Sequence, residues 1–346
     1  MSRFEARDNV PVADELVSLA HGAGGRAMRR LVESVFLADI TDPEALAMDD
    51  GAVLPFGDRF LVVTTDAHVV SPVFFPGGDI GRLAVSGVVN DLAMMGACDV
   101  LALTSSVIVE EGFSLASLRR IHASMQLACR EAGTRVVTGD TKVMRRGEID
   151  GVVLSTSGIG VTDRVIRDAG LVVGDAIVVT GTIGDHGLAV LATRAALGLE
   201  GDLASDVAPL NDLIRAALAA GRTDIHAMKD PTRGGVTSAV SEMAQKAGVS
   251  VLLEASALPM SAAARAASEL LGIDPLVVAN EGKALLGIAP SAVTRVLEAL
   301  HGHPLGRHAA VIGHVTAGTA GTVLLNTGFG TRRLLERDGE PLPRIC

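Results

Sequence analysis

The sequence predicts an α/β protein with two domains. Its 346 residues suffice for two domains or one large one, and 48% of them are apolar, which is enough for a substantial core. Strand-like apolar runs alternate with segments of helical spacing along the chain. The stretch 164–174 interrupts this alternation, and we therefore place the junction between the two domains there.

The first half contains four predicted strands and two predicted helices. Residues 59–66 predict a strand that ends on Asp66. Residues 79–96 have helical spacing, with Ile80, Leu83 and Val88 on one apolar face. The other elements of this half are predicted strands over 100–109, 135–138 and 150–161 and a predicted amphipathic helix over 114–132. The strand over 135–138 leads directly into Gly139.

The second half begins with a predicted strand over 176–181. Further strands are predicted over 250–253, 285–288, 310–315 and 322–326, and helices over 186–197, 210–220, 235–246, 261–271 and 291–300. This alternation is typical of an α/β domain. We therefore divide the chain into an N-terminal extension (1–18), a first domain (19–163), a second domain (164–330) and a mobile tail (331–346).

Composition excludes several classes of function. The net charge is −10, no basic run occurs and only 2% of residues are aromatic, which argues against nucleic-acid binding. No apolar run reaches the length of a membrane span, and the first fifteen residues are too polar for a secretory signal. Cys98, Cys129 and Cys346 show neither CxxC nor metal-knuckle spacing, so we expect a reducing, cytoplasmic location.

A cysteine stands at the end of the sequence, after a segment that contains two prolines. Proline cannot continue a helix, so we expect a semi-rigid arm with the thiol of Cys346 at its tip. Such a thiol can be loaded in one place and processed in another. The alternative is an accidental cysteine on a disordered end. A reactive Cys346 also needs cationic help, from Arg344 or from a site that the arm enters.

Carboxylates stand at informative positions. Asp91 lies about three helical turns after Ile80 and thus on the apolar face, where a carboxylate needs a metal or a polar network. Asp66 and Asp140 are placed at strand ends, and Asp49 and Asp50 precede a glycine turn. Several such carboxylates favour Mg²⁺, although each alone is also a common turn residue.

Glycine-rich loops supply candidate phosphate sites. The loops are 21–25, 180–187 and 230–236, and each precedes a predicted helix. None has the Walker A spacing, and glycine also serves ordinary turns. Lys142, two residues after Asp140, is a candidate phosphate-binding cation or proton relay, or an exposed lysine. These residues predict an enzyme that uses Mg²⁺ and a nucleotide, without fixing its reaction.

The motifs together resemble one family, the HypE carbamoyl dehydratases of nickel–iron hydrogenase maturation. They are LAHGAGG (19–25), FFPGG (74–78), NDLA (90–93), GDTKV (139–143), GDHG (184–187), DPTRGG (230–235), NEGK (280–283) and PRIC (343–346). They run in order over nearly the whole chain, and the terminal tetrapeptide is the most specific of them. The wider superfamily resembled is that of aminoimidazole ribonucleotide synthetase and selenophosphate synthetase.

This resemblance implies a synthetase-like α+β fold and a homodimer. The sheets of the two N-terminal domains would pair into a shared barrel, with an α/β C-terminal domain attached to each. ATP and Mg²⁺ would lie in the cleft between domains. HypF would load a carbamoyl group onto Cys346, and ATP would drive dehydration of the resulting S-carboxamide to a thiocyanate. The cyano group would then pass to iron on the HypC–HypD complex.

The resemblance also implies roles for individual residues. Catalytic roles fall to Cys346 as carrier, Lys142 as phosphate ligand or proton relay, and Glu281 as candidate base. The implied metal ligands are Asp50, Asp66, Asp91 and Asp140, with Asp49 an alternative to Asp50. The implied nucleotide-binding residues are Gly24, Gly25, Asn90, Gly139, Asp140, Thr141, Asp230 and Asn280. His186 and His226 are interpreted as structural histidines.

Two other hypotheses remain open on the sequence. One is a selenophosphate synthetase-like enzyme or a small-metabolite kinase. The former should carry a cysteine beside the loop 21–25, which is absent here, and the latter leaves Cys346 unused. The other is a thiol carrier without dehydratase activity, which would not need the set of aspartates.

Overall fold

The first domain is built on a five-stranded sheet. The computed structural model describes residues 16–22, 24–195, 203–335 and 345–346. The strand order is β1-β2-β7-β5-β6, and all neighbours are antiparallel except β5 and β6. The strands are β1 (Ala52–Phe56), β2 (Arg59–His68), β5 (Asp99–Glu110), β6 (Val136–Met144) and β7 (Val152–Thr162), with a separate hairpin of β3 (Phe74–Phe75) and β4 (Gly78–Asp79).

Four helices accompany this sheet, and one of them brings the two domains together. They are α1 (Gly25–Leu31), which continues into a π-helical turn (Val32–Phe36), α2 (Pro43–Ala47), α3 (Ile80–Met94) and α4 (Leu115–Glu131). The side chain of Asp79 caps α3 by accepting hydrogen bonds from the N–H groups of Gly81 and Arg82. Small and apolar residues cover almost all of α3, so it is buried between β2 and β7 on one side and the second domain on the other.

The second domain contains a seven-stranded sheet. Its order is β14-β13-β10-β12-β8-β11-β9, and only β10 and β13 are parallel. The strands are β8 (Ala176–Val179), β9 (Ile225–Lys229), β10 (Ser250–Glu254), β11 (Leu285–Ile288), β12 (Ala310–Thr316), β13 (Thr322–Asn326) and β14 (Thr331–Leu334). The helices are α5 (Asp185–Arg194), α6 (Asn211–Gly221), α7 (Gly235–Ala247), α8 (Ala262–Leu271) and α9 (Val293–His301).

The strand predicted over 135–138 was too short. The observed β6 continues to Met144, so Asp140 lies inside a strand and not at its end. The parallel ladder to β5 explains the difference, because it pairs Ser106 with Asp140 and Ile108 with Lys142. Backbone pairing thus extends the strand through a sequence that has the composition of a turn.

The tail predicted over 331–346 was placed too early in the chain. Residues Thr331–Leu334 form β14, which pairs with β13 in a hairpin. Gly328, with φ of 81°, lies in the connecting turn, where its N–H donates to the side chain of Asn326. Segment 336–344 lies outside the described residues, as does most of the predicted extension 1–18. Within the described ranges, no helix is long and apolar enough to cross a membrane.

Candidate active site

A cavity of about 350 Å³ lies where the two domains meet. The first domain contributes the start of α1, the residues before β1, the end of β2 and residues of α3, and the second domain contributes the end of β9, the loop after it, residues of α7 and Glu281. Residue Cys346 also lines it. The lining residues are Gly24, Gly25, Met28, Asp49, Asp50, Thr64, Thr65, Asp66, Ala67, His68, Gly87, Asp91, Lys229, Asp230, Thr232, Arg233, Ala239, Glu242, Glu281 and Cys346.

Four of the five aspartates that line this cavity come from four different parts of the fold. Asp50 precedes β1, Asp66 lies near the end of β2, Asp91 lies on α3 and Asp230 follows β9. The hydroxyl of Thr64 donates a 2.9 Å hydrogen bond to Asp91, and His68 Nε2 lies 3.2 Å from Asp66 Oδ2. The fold therefore brings together carboxylates that lie up to 180 residues apart in the sequence.

The carboxyl groups in this cavity repel one another. Burial, followed by the charges of Asp230, Asp66 and Asp50, raises the pKa of Asp91 well above its usual range. Burial and the charge of Asp50 raise the pKa of Asp230 to about 8. A divalent cation bound here would relieve this repulsion and keep the carboxylates ionised.

The donor set suits a hard cation, although the site is not closed by protein alone. Oxygen ligands from aspartates are those that Mg²⁺ uses in proteins. In the described part of the chain, no group of three or more His, Cys, Asp or Glu side chains is arranged as a complete metal site. Mg²⁺ usually takes one or two carboxylates and completes its shell with water and substrate phosphates. The residues present therefore fit a cation that arrives together with a phosphate-bearing substrate.

Glu281 is the most deeply buried carboxyl group of the cavity. It is 3% exposed, and its Oε1 has no hydrogen-bond partner among the described residues. Burial, with the charges of Asp230, Asp66 and Asp206 adding to it, raises the pKa of Glu281 well above its usual range. A carboxylate with a raised pKa is a stronger proton acceptor once it has lost its proton.

Asn90 and Asn280 do not line the cavity but hold its loops. The Nδ2 of Asn90 donates to the carbonyl oxygens of Ala208 and Glu281, at 3.2 Å each, and its Oδ1 accepts from the N–H of Leu210. Asn280 accepts from the N–H of Gly184 and donates to the carbonyl of Pro231. Both side-chain amides thus hold neighbouring backbone in place. Neither of them lines the cavity, where contact with a nucleotide was predicted.

The motif Gly139–Lys142 lies away from this cavity within a single chain. All four residues are exposed on β6, the edge strand of the first sheet, and none of them lines the cavity. Lys142 Nζ lies 2.9 Å from Asp140 Oδ2, and this hydrogen bond lowers the pKa of Asp140. Within one chain, the other predicted site residues are therefore separate from four of their number, Gly139, Asp140, Thr141 and Lys142.

The sequence analysis missed several residues that line the cavity. Lys229 is the clearest case, because its ammonium is buried among the carboxylates of Asp50, Asp168 and Glu242, at 2.6, 3.4 and 3.6 Å. His68 and Arg233 were also not singled out. Only its position immediately before Asp230 could have pointed to Lys229 in the sequence. The strand that it ends, β9, was not predicted from the apolar pattern.

The described end of the chain is docked at this cavity. Ile345 is 1% exposed, and Cys346 is half-buried. The N–H of Val69 donates a 3.2 Å hydrogen bond to the main-chain oxygen of Cys346, and His186 Nε2 lies 2.9 Å from the carbonyl oxygen of Ile345. The thiol-bearing residue thus stands beside the acid-lined cavity.

Two sheet domains with an acid-lined cavity between them define a protein of the AIR synthase-related class. Residues 48–162 match the family model for the N-terminal domain of AIR synthase related proteins, and residues 172–326 match the model for the C-terminal domain. Within that class, the chain belongs to the HypE family of carbamoyl dehydratases. It is 46% identical over 338 residues to carbamoyl dehydratase HypE of Rhizobium leguminosarum bv. viciae, covering 97% of this chain and 96% of that protein.

Solved structures of the same family have the same fold. A crystal structure of hydrogenase maturation protein HypE in complex with ATP is 40% identical, with a TM-score of 0.80 over 95% of this chain and 99% of that one. A HypE–HypF complex contains a chain that is 40% identical, with a TM-score of 0.83 over 89% of this chain and 99% of that one. These similarities extend over both domains.

Proposed function

We propose that this chain catalyses the ATP-dependent dehydration of a carboxamide carried on Cys346, which supplies a cyanide ligand for nickel–iron hydrogenase. The observation that carries the proposal is the position of Cys346. It lines the same cavity as Asp50, Asp66, Asp91 and Glu281. Membership of the HypE family supports the same reaction, and ATP in a relative's structure supports ATP as the co-substrate.

Dehydration requires the amide oxygen to leave, and phosphorylation turns it into a good leaving group. The γ-phosphoryl group of ATP would pass to the oxygen of the S-carboxamide, releasing ADP while the nitrogen loses one proton. The C–O bond would then break, and the second N–H proton would leave with the phosphate as hydrogen phosphate. A thiocyanate remains on Cys346, and the sum is loss of one water coupled to hydrolysis of one ATP.

The residues of the cavity suit these steps. Glu281, whose pKa is raised and whose Oε1 has no partner in the described part of the chain, would in its ionised form accept the proton from the carboxamide nitrogen. Gly24 and Gly25, both with positive φ, line the cavity at the start of α1, and backbone N–H groups of such turns suit phosphate oxygens. Asp230 belongs to the same cavity wall. Phosphoryl transfer then depends mainly on positioning and on charge neutralisation.

Mg²⁺ fits the set of aspartates described above. Asp50, Asp66 and Asp91 would hold it, with Asp49 as the alternative to Asp50. Both of these neighbouring carboxylates also pair with cationic side chains, Asp50 with Lys229 and Asp49 with Arg167 and Lys246. When bound, Mg²⁺ neutralises the charge of the transferred phosphoryl group. Asp140 lies on β6 and would join this set only across a dimer interface.

A homodimer would bring β6 to the site. Its edge is exposed, with Val137 and Val143 at 51% and 69% exposure. Exposed apolar edge strands are unusual in a free monomer, because they invite pairing with another chain. We propose that two chains pair through this edge and that Asp140 and Lys142 of each act in the cavity of the other.

Two further partners belong to the proposed function. HypF would donate the carbamoyl group, and the HypC–HypD complex would accept the cyano group.

The test is mass spectrometry of the peptide that contains Cys346. The protein is incubated with a carbamoyl donor system, with and without Mg·ATP, and a Cys346→Ser variant serves as control. We expect a carbamoyl adduct that loses one water only when ATP is hydrolysed. An adduct that never loses water would favour the thiol-carrier hypothesis. No adduct, with a donor system of verified activity, would contradict the proposal.

A further inference from the structure

The imidazole of His186 contacts the docked end of the chain. Its Nε2 lies 2.9 Å from the carbonyl oxygen of Ile345, and a carbonyl only accepts, so Nε2 carries the proton. Its Nδ1 lies 2.8 Å from Ser205 Oγ. The N–H of Val207 already donates to this Oγ at 3.1 Å, so the hydroxyl proton is directed at Nδ1. Ser205 therefore fixes the tautomer of His186.

His186 is a neutral hydrogen-bond donor in this position. It is fully buried, and burial lowers its pKa. Its ring packs edge-on against Phe75, with the two ring centroids 5.4 Å apart. Because the ring is held by a hydroxyl on one side and an aromatic ring on another, it presents Nε2–H to the tail without needing to reorient.

Three of the contacts that hold the last two residues use the backbone or the side chain of Ile345. The first is His186 Nε2–H to the carbonyl of Ile345, and the second is the N–H of Val69 to the main-chain oxygen of Cys346. The third is the side chain of Ile345, which belongs to an apolar core formed mainly by the first domain, with residues of the second such as Val207 and Ala279. None of these three contacts involves Sγ of Cys346, whose side chain packs against the same core.

The segment 205–208 links this dock to Glu281. Ser205 orients His186, and the adjacent Asp206 accepts a 3.1 Å hydrogen bond from the N–H of Glu281. Gly282 lies so close to this segment that a Cβ there would stand 1.9 Å from the carbonyl oxygen of Asp206. One short stretch of chain thus positions both the docking histidine and the carboxyl group proposed as the base.

We propose that His186, oriented by Ser205, is the positioning residue that docks the Cys346 tail in the cavity for dehydration. Its hydrogen bond is made to the peptide backbone of the tail and not to the thiol. The need for docking in catalysis rests on the proposed function, whereas the docking itself is an independent property of the tail.

Alkylation of the tail thiol tests the dock without any catalysis. Iodoacetamide modification is followed by mass spectrometry for Cys346 and, as internal controls of folding, for the buried Cys98 and Cys129. Loss of a buried hydrogen bond is expected to raise the alkylation rate of Cys346 in His186→Leu about tenfold. His301→Leu is the matched control, because His301 Nε2 makes a similar 2.8 Å contact with the carbonyl of Ala309, away from the tail.

An unchanged alkylation rate of Cys346 in His186→Leu would overturn the proposal. If alkylation of Cys98 and Cys129 also becomes faster in that variant, the Ser205→Ala variant is used instead. It keeps the imidazole of His186 but removes the hydroxyl that fixes its tautomer. Faster alkylation of Cys346 alone in Ser205→Ala supports the dock, and an unchanged rate overturns it.

A single-turnover measurement then connects the dock to the reaction. Cys346 is first loaded with the carbamoyl group, and dehydration is started with Mg·ATP. We expect His186→Leu to load normally and to dehydrate about tenfold more slowly, and His186→Gln to recover most of the rate because its amide can still donate. Equal rates in the wild type and His186→Leu would overturn the role in catalysis. If the wild type does not dehydrate, the proposed function fails, while the alkylation experiment still decides the dock.

Discussion

The ammonium of Lys229 lies 2.6 Å from the carboxylate of Asp50 and joins the two domains beside the cavity. Lys229 ends β9 in the second domain, and Asp50 precedes β1 in the first. Burial opposes the charge of Lys229, but the carboxylates of Asp50, Glu242 and Asp168 outweigh it and raise its pKa well above the usual value. Lys229 is therefore charged, and the nearby carboxylates compensate its loss of solvent.

Removal of one partner of this pair should destabilise the protein. We expect Lys229→Met to lower the free energy of unfolding by about 3 kcal/mol, because it leaves buried carboxylates without a counter-ion. Urea denaturation measures this change. Adding Asp50→Asn should recover part of the loss. Arg332→Met, which breaks a largely exposed pair with Asp274, is the control and should leave stability unchanged. A similar loss of stability in Lys229→Met and in the control variant would contradict the prediction.

The stability of the metal-free protein should decrease as the pH rises towards 8. The pKa of Asp230 is about 8 in the folded protein, against 3.8 as its ordinary value. Between these values the folded state binds more protons than the unfolded state, so unfolding becomes easier with rising pH. Denaturation in urea with a chelator, between pH 5 and pH 8, measures the slope. Asp230→Asn should flatten it, and an equally steep slope in that variant would assign the effect to other groups.

Mg²⁺ should stabilise the protein more at high pH than at low pH. Protons compete with the cation for Asp91, a proposed ligand whose pKa is raised. We expect the increase in Tm on adding Mg²⁺ to be larger at pH 8 than at pH 6 and to be reduced in Asp91→Asn. Na⁺ at equal ionic strength is the control for screening. An equal increase with Na⁺ would argue against a specific site.

The sequence allowed the elements of the fold to be predicted where periodicity is strong. Helix α3 and strand β13 are close to their predicted bounds, since each has a regular apolar face. Strand β9 was missed because His226 and Lys229 interrupt its apolar pattern. The burial of Lys229 depends on Asp50, 179 residues earlier, and local pattern carries no information on such a pair. Asp91 was recognisable because a carboxylate on an otherwise apolar helical face is conspicuous in the sequence.

The exposed edge of β6 should carry the dimer interface. A charge at Val143, which is 69% exposed, would face the other chain and lose solvent on pairing. We therefore expect Val143→Glu to shift the protein to monomers, as measured by light scattering after size-exclusion chromatography. Leu270→Glu, at a site of 61% exposure on α8, is the control and should leave the mass unchanged. Dimers that persist in Val143→Glu would place the interface elsewhere.

Mixing two inactive variants should show whether Lys142 acts across that interface. Lys142 is exposed on β6 and does not line the cavity of its own chain, whereas Cys346 does. In a mixed dimer, one chain carries Lys142→Ala and the other carries Cys346→Ser. If each site combines Cys346 of one chain with Lys142 of the other, one of the two sites in this dimer is intact. Random pairing of equal amounts then gives about one quarter of the wild-type sites. If both residues act within one chain, no mixed dimer has a complete site, and dehydration after unfolding and co-refolding stays at the level of the separate variants.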